Sequence, residues 1–201
     1  TLFRSYDMMI PYVKNKAKFK DIEYYLFDEN PYIDEPYGPN WKDMQELFFK
    51  AANIPDERIH IMTSNDWQDY DNKIRNAGGI DVMVIGLGYD GHFCGNCPRC
   101  TPFDSYTYCI DFKKKQAVNP DYGDRPRQPH TLTMGPKSLM RVKHLVMIVN
   151  GKEKAEILKQ MLDSPITDEL PATILKLHPN FTVICDQDAA SLLDLNNYKR
   201  L

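Results

Sequence analysis

Residues 86–100 read "GLGYDGHFCGNCPRC", and three chemistries overlap in these fifteen positions. Gly86, Gly88 and Gly91 form a G-x-G-x-x-G, the pattern of a dinucleotide loop. Asp90-Gly91-His92 pairs a carboxylate with the one side chain whose ordinary pKa lies near neutrality, as acid–base catalysis requires. Cys94, Cys97 and Cys100 stand at C-x2-C-x2-C spacing beside His92, soft ligands for zinc or an iron–sulfur cluster. A second acidic pair, Asp28-Glu29, ends the aromatic run "IEYYLFDEN". Lys154 falls in the first turn of "KEKAEILKQML", which follows Gly151.

Context separates the three signals. In a dinucleotide site the last glycine opens a helix whose N-terminus meets the pyrophosphate, but Gly95 and Pro98 rule out a regular helix here. A ferredoxin-type cluster needs a fourth Cys followed by Pro, and the chain instead continues to Asp104 and Ser105. Structural zinc usually takes two separated ligand pairs, and Cys109 and Cys185 supply no second pair by spacing. The cysteines are therefore expected to be small reduced side chains packing a tight loop. The Asp-Gly-His signal fits best, because glycines let the backbone turn sharply just past a buried strand. On the motif alone, a solvated loop histidine accounts for His92 as well. Asp28 also reads as a turn acid, and Lys154 as a solvated helix lysine.

The elements that must position these groups alternate. Helical patterns cover about residues 3–15, "NWKDMQELFFKAAN", "NDWQDYDNKIRNAGG" and "KEKAEILKQML". Strands are expected at "IEYYLFDEN", "RIHIM", "IDVMVIGLG", "HLVMIVNG" and "FTVICD". The "IDVMVIGLG" run reads as a strand buried on both faces, and residues 113–130, rich in Pro, Gly and charge, as a long surface loop. Arg125 and Arg127 in that loop are read as solvated, within possible reach of a phosphate. Alternation of this kind implies one α/β domain with a mostly parallel sheet. Ligands in such sheets bind beyond the carboxyl ends of strands, where Asp28, the 86–100 loop and Gly151–Lys154 all fall.

Length and charge bound the partners. The 201 residues allow one well-formed core. With 25 basic and 28 acidic residues, a net charge of −3 gives no reason to expect nucleic acid or an anionic membrane. No run of about eighteen apolar residues exists to span a bilayer. Five cysteines form no secreted framework, so a cytoplasmic location is expected.

The quoted segments resemble one family. "GLGYDGHFCGNCP" resembles the G-x-G-x-D-G-H signature of the glucosamine-6-phosphate deaminase/isomerase and 6-phosphogluconolactonase superfamily. "YLFDEN" is similar to its strand-end Asp-Glu, and "TLTMGPKSLMRVKHLVMIVNGKEKA" to its Thr-x-Gly, strand and Gly-x-x-Lys-Ala segment. "PATILKLHPNFTVICDQDAA" is similar to its C-terminal block. The wording "GHFCGN" and "TMGPKS" looks closest to a deaminase-like branch.

The resemblance implies a three-layer α/β/α sandwich with a mostly parallel, Rossmann-like sheet. It implies a sugar-phosphate isomerase or deaminase that works without cofactor or metal on a small-molecule sugar phosphate, and it allows a homo-oligomer. By carry-over Asp28 is the base that moves a proton between C2 and C1 through an enediol. His92, oriented by Asp90, opens the ring. Lys154, with Thr1, Gly88, Gly91 and Asn96, binds substrate and its phosphate.

Two positions depart from the pattern. Cys97, after the matching Asn96, stands where the deaminases carry a glutamate, and a thiol cannot act as that charge partner. Thr1 aligns inside the family's phosphate loop, so residues 1–201 are expected to form a single sugar-phosphate isomerase-like domain without the N-terminal strand and loop glycines. Leu2 and Trp41 also replace the residues usual at their positions. A lactone hydrolase, in which His92 activates water, and a phosphosugar sensor without chemistry are the competing readings.

Overall fold

The computed structural model describes residues 2–111 and 126–198. Helix α1 (Leu2–Asn15) packs Tyr6, Ile10 and Val13 onto Phe48 and Phe49. These phenylalanines come from a π turn (Gln45–Phe49) that continues helix α2 (Pro39–Met44). Strands β1 (Tyr24–Tyr25) and β3 (Ile59–His60) form a parallel pair. Helix α3 (Tyr70–Asn76) leads into β4 (Val82–Gly86). Strands β7 (His144–Val149) and β8 (Phe181–Cys185) extend it into a parallel sheet of order β4-β7-β8, with helix α5 (Ala155–Asp163) between the last two. The α/β class with parallel sheets is thus as the alternation implied.

Two parts differ from the sequence reading. The run "IEYYLFDEN" is not one strand. Its first half is β1, and its end, β2 (Asp28–Glu29), joins an antiparallel sheet of order β2-β6-β5. Strands β5 (Tyr108–Asp111) and β6 (His130–Thr133) were not anticipated, because both are short and polar. The expected loop at 113–130 therefore ends in a strand, and residues 112–125 lie outside the described ones. Between β1 and β2 the backbone is held from both sides: Leu26 N–H donates to His60 O (3.0 Å), and Phe27 O accepts from Met134 N–H (2.8 Å). That switch between sheets sets Asp28 at the edge of a cavity.

The main core gathers Ile85, Leu132, Leu139, Leu145, Met147, Leu158 and Leu175, all fully buried. The "IDVMVIGLG" strand departs from the both-faces-buried expectation, since Val82 is 55% exposed. Among the described residues strand β4 pairs with β7 alone, and Val82, Met83, Val84 and Gly86 line a cavity of about 1430 Å³ together with residues 24–27.

Glu29, 1% exposed, ties this region together. Its carboxylate accepts from the backbone N–H groups of Asn30 (2.7 Å), Asn40 (3.2 Å) and Trp41 (2.9 Å), so it caps α2. Burial pushes its pKa up, while those N–H bonds pull the other way. Glu29→Ala strands three buried donors and is expected to cost about 3 kcal/mol, read as a lower urea midpoint at unchanged slope. Glu29→Gln, which keeps one acceptor, should lose less.

Candidate active site

Residues from the carboxyl ends of β4 and β7 and from the start of β2 line the large cavity. Asp28, Gly88, Asp90, His92, Cys94, Asn150 and Lys154 all line it. Thr1 lies outside the described residues.

The 86–92 turn explains how residues two apart can meet. Gly91 adopts φ +81°, and Gly88 N–H donates to His92 O (2.8 Å). This folds the Asp90 carboxylate back, so that Oδ1 accepts from His92 N–H (3.1 Å) and lies 2.6 Å from His92 Nδ1. A carboxylate only accepts, so Nδ1 carries the proton and Nε2 is the ring nitrogen left for chemistry. A Cβ on Gly88 would lie 2.1 Å from His92 Nδ1, and one on Gly91 would lie 1.9 Å from Leu170 Cδ1. Glycine is required at both positions, for different reasons.

The His92 hydrogen bond, ahead of the opposing effect of burial, draws the Asp90 pKa down to about 2. Because the folded carboxyl releases its proton more readily than the unfolded one, the pair's contribution is complete above about pH 4. It is lost as pH falls through about 2. Thermal unfolding from pH 6 to 2 should show this loss in the native chain and a smaller one in Asp90→Asn.

Asp28 is fixed by a residue that the sequence reading did not single out. Asn40 Nδ2 donates to Asp28 Oδ1 (2.8 Å) and to its backbone oxygen (3.2 Å). No motif marked Asn40; α2, capped by Glu29, delivers it. Tyr6 and Cys94 lie close enough to feel Asp28. Burial first and then its charge push the Tyr6 hydroxyl up to about 12 and the Cys94 thiol well above its ordinary value. Cys94 is accordingly a protonated, unreactive neighbour.

Lys154, 7% exposed, is neither solvated nor in a regular helix; it ends a 3-10 turn (Lys152–Lys154). Its Nζ donates to Leu87 O (2.7 Å) and stands 3.3 Å from the centroid of the Tyr89 ring. Burial lowers its pKa, and the charges of Asp90 and Glu153 oppose that shift. A cation held at the cavity wall by one carbonyl and one ring keeps donors for an anion.

Asn96 requires a correction. It is fully buried; its Nδ2 donates to Phe93 O (3.2 Å) and Met134 O (2.9 Å), and its Oδ1 accepts from Tyr108 Oη (3.0 Å). These bonds tie the loop to Met134 and Tyr108, and Asn96 is not among the residues that line the large cavity. Gly91 likewise acts through the turn.

The cysteines also differ from the reduced set expected. Cys97 and Cys100 form a disulfide, their Cα atoms 5.8 Å apart across a turn in which Arg99 takes φ +60°. Cys94, Cys109 and Cys185 are free. Among the described residues, no group of three or more His, Cys, Asp or Glu side chains is arranged to hold a metal ion. Of the two loop arginines, Arg127 lines the cavity and Arg125 lies outside the described residues.

Among the described residues, no helix is long and apolar enough to cross a membrane. The chain is similar to a glucosamine-6-phosphate deaminase of Clostridium acetobutylicum, with 35% identity over 193 residues, 90% of this chain and 79% of that protein. It is 32% identical over 216 residues to one of Mycoplasmopsis pulmonis, covering 100% of this chain and 83% of the relative. Among solved structures, a monomeric glucosamine-6-phosphate deaminase of the NagB superfamily superposes with a TM-score of 0.78 at 26% identity, over 95% of this chain and 83% of the other. A 6-phosphogluconolactonase from Leishmania guyanensis, 17% identical, shares the fold with a TM-score of 0.72 over 95% and 82% of the two chains. The family model described as glucosamine-6-phosphate isomerases/6-phosphogluconolactonase matches residues 5–184, and the chain belongs to that family.

Proposed function

We propose that this chain is a glucosamine-6-phosphate isomerase/deaminase-like enzyme acting on an amino-sugar phosphate. The observation that carries the reading is the Asp90–His92 pair, 2.6 Å apart, lining one cavity with Asp28 and Lys154. Lys154 holds the phosphate. His92 moves a proton between the ring oxygen and the anomeric hydroxyl through Nε2, while Asp90 stabilises the imidazolium. Asp28, oriented by Asn40, takes the C2 proton of the open amino sugar and returns one at C1 through the enolamine, leaving an imine at C2. Water then replaces the amine, so that one water is consumed as ketose phosphate and ammonia form. A cytoplasmic site of action belongs to the same proposal; the three free thiols support it, and the Cys97–Cys100 disulfide weighs against it.

One observation favours a second reading. Cys97, at the position where the resemblance places a glutamate, is bonded to Cys100 and offers no carboxylate. Hydrolysis of a sugar-lactone phosphate, with His92 activating water, needs no acid there.

Incubation with glucosamine 6-phosphate, following fructose 6-phosphate and ammonia together, tests the proposal. Both products should appear in equal amounts and fall by about 10²–10⁴-fold in His92→Ala. A folded protein that yields neither, yet opens the lactone of 6-phosphogluconate, is the hydrolase instead.

A further inference from the structure

A second, smaller cavity of about 190 Å³ lies between the end of α1, the 3-10 turn that follows it (Ala17–Phe19) and residues 52–58. It shares Val13, Phe19 and Tyr24 with the wall of the large cavity, but neither Asp28, Asp90, His92 nor Lys154 lines it. Four cations do, Lys14, Lys16, Lys20 and Arg58, and no acidic side chain is among its lining residues. A concave surface of a single sign concentrates counter-ions.

The chemistry of its inner wall is more specific than its charge. Arg58 Nη1 and Tyr24 Oη are both buried with no hydrogen-bond partner. Burial pushes the Tyr24 hydroxyl up while the Arg58 charge draws it down, so the two groups are electrostatic neighbours. A buried guanidinium nitrogen without an acceptor is costly, and a second unpaired donor beside it adds to that cost. An acceptor with several oxygens and negative charge satisfies both. Guanidinium geometry matches phosphate, and the exposed lysines at the mouth add charge without fixing orientation.

We propose that this cavity is a binding site for a phosphate group, free or carried by a sugar, separate from the candidate active site. Arg58 and Tyr24 grip the oxygens inside, and Lys14, Lys16 and Lys20 neutralise the remaining charge at the entrance. Asn53, which also lines the cavity, can donate through its amide.

The test is ³¹P line broadening of inorganic phosphate at constant ionic strength, made up with chloride. Lys154→Ala removes, of the three cations that line the large cavity, the one assigned to the substrate phosphate, and binding should persist in it. Arg58→Gln in that background should weaken binding by about tenfold or more. Should Arg58→Gln fail to fold, Lys16→Gln/Lys20→Gln, which alters only exposed side chains, should weaken it measurably in its place. Competition by glucosamine 6-phosphate in the Lys154→Ala background identifies a phosphorylated sugar as occupant; its absence leaves free phosphate. Binding that vanishes in Lys154→Ala overturns the proposal, as does broadening unaffected by Arg58→Gln, or by the lysine pair where that variant decides. Broadening that chloride abolishes overturns it too.

Discussion

Asp28→Asn is expected to lower kcat for isomerisation by about 10²–10⁴-fold while KM stays within a factor of about three. The two side chains have the same shape, and the Asn40 amide can still donate to the remaining carbonyl oxygen where it now meets Oδ1 at 2.8 Å. The backbone register of β2 against Thr133 and Leu132 uses no side-chain atom of residue 28, so the fold should be unaffected. What the substitution removes is basicity: an amide cannot take a proton from carbon. The measurement is steady-state turnover of glucosamine 6-phosphate with a heat-unfolding control. Full isomerisation by Asp28→Asn would sink the assignment of Asp28 as the base at C2, whereas lactone hydrolysis, which abstracts no carbon-bound proton, should survive the change.

Gly88→Ala should be nearly as damaging to activity, though it introduces only a methyl group. The new Cβ would lie 2.1 Å from His92 Nδ1 and 2.3 Å from Cε1, so the imidazole must leave its place beside Asp90. The ring lies at the exposed end of a rotatable side chain and can swing away, so the cost falls on catalysis more than on folding. Displacing a proton-transfer group by an ångström costs about 10²-fold, and losing the Asp90 bond adds to that. Activity should fall toward that of His92→Ala, with the unfolding temperature lowered no further than in Asp90→Asn. Gly91→Ala is the informative contrast. Its φ of +81° and the 1.9 Å approach to Leu170 Cδ1 place the cost on the backbone and the core, so stability should fall together with activity. If both variants kept native turnover, the Asp90–His92 geometry would not be the working one.

These two predictions share an origin: groups close in sequence supply the chemistry, and groups distant in sequence aim it. Asp90, Gly91 and His92 were legible because their interaction is local. A glycine between an acid and a histidine permits one tight turn, and the turn itself brings the ring and the carboxylate together. Alternating apolar and helical segments likewise implied parallel strands, and β4, β7 and β8 follow the apolar runs, with the central strand β7 the most buried of the three.

Only the tertiary structure decided the rest. Nothing in "YLFDEN" shows that the chain passes from one sheet to another between Tyr25 and Asp28, since that break is made by His60 and Met134, far along the chain. Asn40 became an orienting group because a buried glutamate caps its helix beside Asp28, and Asn96 proved structural because Tyr108 and Met134 occupy its amide. Lys154 reads as an ordinary helix lysine until Leu87 and Tyr89 are seen to hold its ammonium at the cavity wall. Residue type and spacing thus determined which atoms can donate, accept or turn. Burial and long-range contacts, which depend on partners many residues away, decided which of those atoms remain free to act.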